Sequence, residues 1–212
     1  MLFRFSALLA AAAALLLLLL LARPAAAQPP GCAPGAFSAT GAMEAAWAMK
    51  KGQLFNLSEQ ELIDCSAGTN PFQYVTTNGL ATEQEYPYRG VQNACHSDTS
   101  IMTITGFKSV PNSETALLSA IVQQPVSVAV EADQSVFQFY SGGVMNSACG
   151  TNLDHGVLAV GYGTSAGQDY YKVKNSWGSD WGTDGYILLG RGTGFSAKGQ
   201  CGIQTDASFP VV

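Results

Sequence analysis

Residues 153–181 constrain the fold of this chain more than any other stretch. Two short runs rich in apolar residues, 157–160 and 170–173, have the composition of β-strands and flank a glycine-punctuated segment. His155 precedes the first run and Asn175 follows the second. If the runs pair as antiparallel strands, the amide oxygen can accept one ring N–H and leave the other ring nitrogen for chemistry. The alternative is a histidine and an asparagine that only satisfy each other in a polar corner.

Short motifs around these two residues carry a family resemblance. The run D-H-G at 154–156 and the run K-N-S-W-G at 174–178 closely resemble the histidine and asparagine regions of papain-like cysteine peptidases, the family of papain and cathepsin L. Further matching segments lie at residues 37–42, 57–65, 85–88, 185–187, 201–203 and 208–210. The resemblance therefore covers nearly everything after the first 35 residues.

The resemblance implies an α+β fold with two domains and a substrate cleft between them. A helical domain is expected over residues 28–105, and a domain with an antiparallel, β-barrel-like sheet over residues 106–212. The residue pattern agrees, because it favours helices and loops before Gly106 and mostly strands after it.

The same resemblance implies a cysteine-type endopeptidase with a Cys–His–Asn site. His155 would act as acid and base, Asn175 would orient it, and Trp177 would shield their hydrogen bond from water. Proteins or peptides would be the substrates, and the chain would act as a monomer without a cofactor.

A substrate pocket is also implied by position. Ala129, Leu153 and Asp206 resemble the residues that line the pocket for the second side chain before the scissile bond. An acid at the pocket floor would favour basic side chains there. A solvated aspartate without a role in binding is the alternative.

The expected nucleophile is not at its usual position. Good helix formers fill residues 36–51, and in the family the catalytic cysteine lies at the start of this helix, where the helix dipole stabilises a thiolate. A gapless alignment places Pro34 there, Gly35 where a tryptophan is usual, and Gln28 where the family keeps its oxyanion-hole glutamine. Cys32 is the nearest thiol and lies two residues upstream. Two residues of extended chain span at most about 7 Å.

The comparison with the family predicts a truncated chain. About a dozen residues, including a Cys-Asn-Gly-Gly turn, are missing between Asn70 and Pro71, and the pro-region and first mature strand are missing as well. Two hypotheses therefore stay open. The chain is either a papain-like endopeptidase or a catalytically inactive relative, such as a binding module or an incomplete gene product.

The chain has five cysteines. The resemblance pairs Cys65 with Cys95 and Cys149 with Cys201, which leaves Cys32 unpaired. No metal site is expected, because there is no C-x-x-C motif and His96 stands alone beside a paired cysteine.

Residues 1–27 have the pattern of a secretory signal peptide. Arg4 precedes an uncharged run over residues 5–22, and Ala25 and Ala27 form a small-x-small cleavage site. A signal anchor is the alternative, because the run is long. Cleavage would give a secreted or lysosomal/vacuolar protein with no membrane attachment.

The charge of the chain argues against nucleic acid as a partner. The net charge is −5, and without the two arginines of the leader 8 basic and 15 acidic residues remain. An acidic chain of this kind does not attract polyanions.

Two local patterns complete the sequence analysis. Ser58 and Glu61 predict a capping box at the start of a short helix. Residues 56–58 overlap it and form an Asn-Leu-Ser sequon, so Asn56 is either glycosylated or part of an unmodified loop. Residues 163–167 match G-x-S-x-G, but no histidine follows His155, so a hairpin loop is predicted rather than a serine-hydrolase elbow.

Overall fold

A computed structural model of the protein describes residues 35–66, 68–96 and 99–212. The predicted leader, Gln28, Cys32 and Pro34 lie outside the described residues. In the part of the chain that is described, no helix is long and apolar enough to cross a membrane.

Three helices occupy the first part of the described chain: α1 (Ala36–Lys51), α2 (Glu59–Cys65) and α3 (Pro71–Asn78). The prediction of a helix over residues 36–51 is confirmed. Two lysines lie in its last turn, where they oppose the negative end of the helix dipole. Gly52 ends the helix with φ 73°, a left-handed conformation that glycine adopts without steric cost.

The capping box predicted for α2 forms only in part. Ser58 caps the helix, and its side chain accepts a hydrogen bond from the Glu61 N–H at 2.9 Å. The Glu61 carboxylate does not return to Ser58. It accepts instead from the Ala81 N–H at 2.8 Å and from the Tyr74 hydroxyl at 3.0 Å. A buried carboxylate thus satisfies two distant donors rather than the local one.

The shortened junction between Asn70 and Pro71 forms a regular helix start. Asn70 is the N-cap of α3, and its side-chain oxygen accepts from the Phe72 N–H at 2.9 Å. Pro71 takes the first turn, where its missing N–H costs nothing. The chain therefore enters α3 directly.

The remaining elements form one sheet with short helices at its margins. They are β1 (Gly106–Ser109), α4 (Glu114–Ile121), β2 (Val126–Val130), α5 (Ser135–Gln138), β3 (Val144–Met145), β4 (His155–Ser165), β5 (Gln168–Lys174), β6 (Tyr186–Gly190), a 3-10 turn (Gln200–Gly202) and β7 (Ala207–Val211).

The α+β class is confirmed, but the sheet is not closed into a barrel. Its strand order is β1-β7-β2-β4-β5-β6-β3, and all neighbours are antiparallel except β3 and β6. The two edge strands, β1 and β3, are four and two residues long and are not paired with each other. The expected barrel-like sheet is thus an open one, because its two short edge strands do not pair and so leave it unclosed.

The described residues bury two apolar clusters, one on the sheet and one among the helices. Strand β4 contributes to both, because its side chains alternate between the faces of the sheet. Val157 and Ala159 belong to the sheet cluster, and Leu158 packs with Met43 and Leu62 in the helical cluster. The division into domains at residues 105 and 106 stays a prediction, although β1 begins at this point.

Both disulfides that the resemblance implied are present. Cys65 is bonded to Cys95 and Cys149 to Cys201, across 30 and 52 residues of sequence. The second bond ties the loop before β4 to the 3-10 turn before β7.

The G-x-S-x-G match lies in a β-hairpin, as predicted. Ser165 pairs with Gln168, and Ala166 and Gly167 have φ values of 50° and 78°. Two consecutive residues with positive φ are typical of a two-residue turn between antiparallel strands.

Three glutamates gather between the helices and the end of β5. The Leu57 N–H donates to Glu44 at 2.9 Å, and the Thr40 hydroxyl donates to Glu59 at 3.0 Å. Burial raises the pKa of Glu44 from 4.5 to about 7. Burial, helped by the Glu44 charge, raises the pKa of Glu59 to about 8, and burial also raises the pKa of Glu83.

These pKa shifts predict that the folded protein loses stability as the pH rises from about 5 to about 8. In that window the unfolded carboxyls are ionised while the folded ones hold protons, so the folded state binds more protons and the free energy of unfolding falls with pH. A single carboxyl is expected to account for roughly 3 kcal/mol, at about 1.4 kcal/mol per pKa unit. Thermal unfolding measured across this range should show a falling Tm.

A neutral variant tests whether these carboxyls cause the fall of the Tm with pH. Glu59→Gln keeps an acceptor for the Thr40 hydroxyl and should flatten the decline. Asp180→Asn, a change at an exposed acid, should leave it unchanged. A Tm that rises with pH in the unmodified protein would contradict the assignment.

Candidate active site

The structure brings His155 and Asn175 together. His155 is the first residue of β4, and Asn175 follows the last residue of β5. The register pairs Leu158 with Lys174, so the hairpin places the two residues near each other. His155 Nε2 lies 2.7 Å from Asn175 Oδ1, and both side chains are buried, with exposed fractions of 8% and 6%.

This hydrogen bond fixes the tautomer of the ring. The Asn175 oxygen only accepts, and it also accepts from the Ser176 N–H at 2.8 Å. The Nε2 of His155 must therefore carry the proton, and Nδ1 of the neutral ring is an acceptor. Nδ1 makes no hydrogen bond with any of the residues that the structure describes.

Aromatic rings cover the pair. The Trp177 indole stacks on the His155 ring, with centroids 5.1 Å apart and an interplanar angle of 29°. Phe137 and Trp181 meet Trp177 edge to face at 5.7 and 5.2 Å. This packing keeps water from the His155–Asn175 bond and strengthens it by lowering the local dielectric.

The start of helix α1 abuts the histidine strand. A Cβ built on Gly156 would lie 2.5 Å from the Gly35 Cα, closer than side-chain carbons approach, so this contact requires glycine at position 156. The Ser38 hydroxyl lies 2.8 Å from the Ser127 hydroxyl and links α1 to β2. The positive end of the α1 dipole thus lies beside His155. Cys32, Pro34 and Gln28, which the sequence placed upstream of this point, lie outside the described residues.

The environment of His155 disfavours its charged form. Burial lowers the pKa of His155 below its usual 6.5, and the hydrogen bond to Asn175 and the charge of Asp154 oppose this effect in part. Burial thus favours the neutral ring, in which Nδ1 can accept a proton.

The three residues assigned to the pocket lie on neighbouring segments. Ala129 pairs with Gly156 across β2 and β4, and its N–H donates to the Asp206 carbonyl at 2.9 Å. Leu153 lies against Gly202, where an added Cβ would meet its side chain at 2.7 Å. Asp206 is exposed and has no ion-pair partner among the described residues.

Two carboxylates that the sequence did not single out hold the segment that leads into His155. Asp154 accepts from the Ala132 and Asp133 N–H groups at 2.7 and 3.2 Å. Glu131, which is buried, accepts from Gln134 at 2.8 Å and from the Asn152 N–H. Alternation along β2 places Glu131 on the same face of the sheet as Ala129. This pattern is the sequence signal that could have indicated a role for Glu131.

Comparison with known proteins identifies the family. The model of the papain family cysteine proteases matches residues 29–211. Germination-specific cysteine protease 1 of Arabidopsis thaliana is 47% identical over 191 residues, which cover 83% of this chain and 51% of that protein. The KDEL-tailed cysteine endopeptidase CEP2 of the same plant is 44% identical over 191 residues, 83% of this chain and 53% of that protein.

A solved structure agrees. Bromelain from Ananas comosus in complex with the E64 inhibitor superposes with a TM-score of 0.82 at 37% identity, over 90% of this chain and 94% of that one. The chain belongs to the papain family of cysteine proteases. It spans about half the length of the curated relatives it matches.

The state of His155 gives a prediction that needs no catalytic activity. In an NMR titration, the His155 ring should have a pKa below 6.5, because burial disfavours the imidazolium. Asn175→Ala should lower this pKa further, because it removes the bond that supports the charged ring. The chain has one other histidine, so His96→Ala assigns the two signals. A His155 pKa well above 6.5 would contradict the prediction and would reveal an anion, such as a thiolate, beside the ring.

Proposed function

We propose that this chain is a cysteine-type endopeptidase, in which His155 is the acid–base group and Asn175 its orienting partner. The observation that carries the proposal is the 2.7 Å hydrogen bond between them, buried under Trp177. The contact between Gly35 and Gly156 supports it, because it sets the start of a helix, where a thiolate is stabilised, beside the histidine.

The arrangement suits acyl transfer to a thiol. Nδ1 of His155 takes the thiol proton, and the thiolate attacks the peptide carbonyl carbon. The imidazolium then returns the proton to the leaving amine, and an acyl thioester remains. Water, deprotonated by the same ring, hydrolyses the thioester and restores the thiol. Asn175 keeps the ring in the tautomer that both steps need.

The disulfides restrict the choice of nucleophile. Four of the five cysteines are bonded to each other, so Cys32 is the remaining thiol that this chain can offer. Its position two residues before the usual slot, which holds Pro34, is the observation that favours the second candidate. That candidate is a papain-like protein that binds peptides without cleaving them.

Labelling and hydrolysis tests separate the two candidates. A thiol-directed epoxide should modify Cys32, and a peptide substrate should be cleaved. Cys32→Ala and His155→Ala should each reduce cleavage by a factor on the order of a thousand or more. His96→Ala is the matched control and should retain full activity.

The contrary outcome is equally specific. An unmodified Cys32 and no cleavage by the folded protein would overturn the peptidase proposal. Labelling and cleavage gained on changing Pro34→Cys would then show that the rest of the site is competent and that only the nucleophile is missing.

Asp206 supports a preference for basic side chains in the pocket that it shares with Ala129 and Leu153. Asp206→Ala should reduce the ratio of kcat/KM for an arginine peptide over a leucine peptide about fivefold, since an exposed ion pair is worth about 1 kcal/mol. Asp180→Asn is the control for net charge. An unchanged ratio in Asp206→Ala would remove Asp206 from the pocket.

We also propose that the protein enters the secretory route and works as two domains joined near residue 105. The leader pattern over residues 1–27, the two disulfides and the KDEL tail in the name of one relative support this location.

A further inference from the structure

The Asn-Leu-Ser sequon lies between helices α1 and α2, and only its first side chain remains accessible. The Asn56 side chain is exposed and makes no hydrogen bond with the described residues. Leu57 and Ser58 are both fully buried, with exposed fractions of 0%. The residue that would be modified is thus free, while the residues that would direct the modification are not.

The Ser58 hydroxyl is fully occupied by the fold. It accepts a hydrogen bond from the Glu61 N–H at 2.9 Å, which caps α2, and donates one to the Tyr86 carbonyl at 2.6 Å. A sequon is defined by a hydroxyl at its third position. In the folded protein that hydroxyl is both buried and engaged.

The backbone of the sequon is also held. The Leu57 N–H donates to Glu44 at 2.9 Å, and the Ser58 N–H donates to the Ala81 carbonyl at 3.0 Å. The Asn56 carbonyl accepts from the Glu83 N–H at 2.8 Å. A transferase cannot bind this segment as an extended strand without breaking these contacts.

We propose that Asn56 is an N-glycosylation site that is modified before residues 57 and 58 dock, and that the folded protein is no longer a substrate. In the transfer, the Asn56 amide nitrogen bonds to the anomeric carbon of a lipid-diphosphate oligosaccharide. The lipid diphosphate leaves that carbon and the amide loses one proton. The proposal rests on the entry into the secretory route proposed above.

The finished glycan is compatible with the fold. The segment is held through the backbone of Asn56 and the side chain of Ser58, and neither is altered by a sugar on the exposed amide. The glycan adds no strain to the segment, and its loss leaves the packing of α2 unchanged.

Variants at the two positions separate glycosylation from capping. The full chain, secreted from a eukaryotic host, should lose the mass of one glycan on treatment with peptide N-glycosidase. Asn56→Gln should abolish that shift and leave the Tm of the deglycosylated protein unchanged. Ser58→Thr should keep the glycan, because it keeps the hydroxyl, and Ser58→Ala should lose the glycan and lower the Tm. Asn78→Gln, outside any sequon, is the control. A glycan shift that survives Asn56→Gln, or no shift in the unmodified sequence, would overturn the site.

The timing needs a second measurement. Unglycosylated full-length protein is offered to detergent-solubilised transferase either folded or unfolded by reduction of both disulfides. We expect transfer to the unfolded form and at least tenfold less to the folded one. Equal transfer to both would overturn the timing. This assay does not depend on secretion, so a chain that is accepted here but is neither secreted nor modified in cells refutes the proposed location, not the sequon.

Discussion

The first half of strand β4, residues 155–159, is buried on both faces, and the arrangement of the molecule depends on this constraint. A strand covered on one side needs apolar residues at every second position, whereas β4 begins with an almost continuous apolar run. One face packs on the sheet cluster through Val157 and Ala159, and the other closes the helical cluster through Leu158. The strand that joins the two clusters also carries His155 at its first position. The histidine is thereby fixed to both halves of the core.

The same constraint explains the glycine that follows His155. Helix α1 packs against β4 and β2 so closely that its start touches the backbone at position 156. Gly35, the N-cap, has φ 109°, which lets the chain turn into the helix beside the strand. A side chain at 156 would push α1 away and separate the helix dipole from the imidazole. Close packing of α1 and the position of its dipole beside the imidazole thus both require glycine at position 156.

Local patterns in the sequence were sufficient for the features that short segments determine. The ends of α1, the cap of α2 and the hairpin with His155 and Asn175 follow from periodicity, capping residues and turn chemistry. Contacts across long separations were not predictable in this way. Glu61 bonds to Ala81 rather than to its own helix start, and β1 pairs with β7 about a hundred residues later. The open sheet follows from such distant pairings, which alternation alone does not specify.

Burial shifts the pKa values of both acidic and basic side chains at the contact between the helices and the sheet. In each case it disfavours the charged form. Burial raises the pKa values of Glu44 and Glu59, so that both carboxyls keep their protons at pH values where an exposed glutamate is ionised. Burial lowers the pKa of His155, because it disfavours the charged imidazolium. Both shifts favour the uncharged forms of these groups. The charge of Lys174, next to Asn175, opposes part of the rise in the pKa of Glu44. The contact between helices and sheet therefore holds its buried acids and its buried base in their uncharged forms.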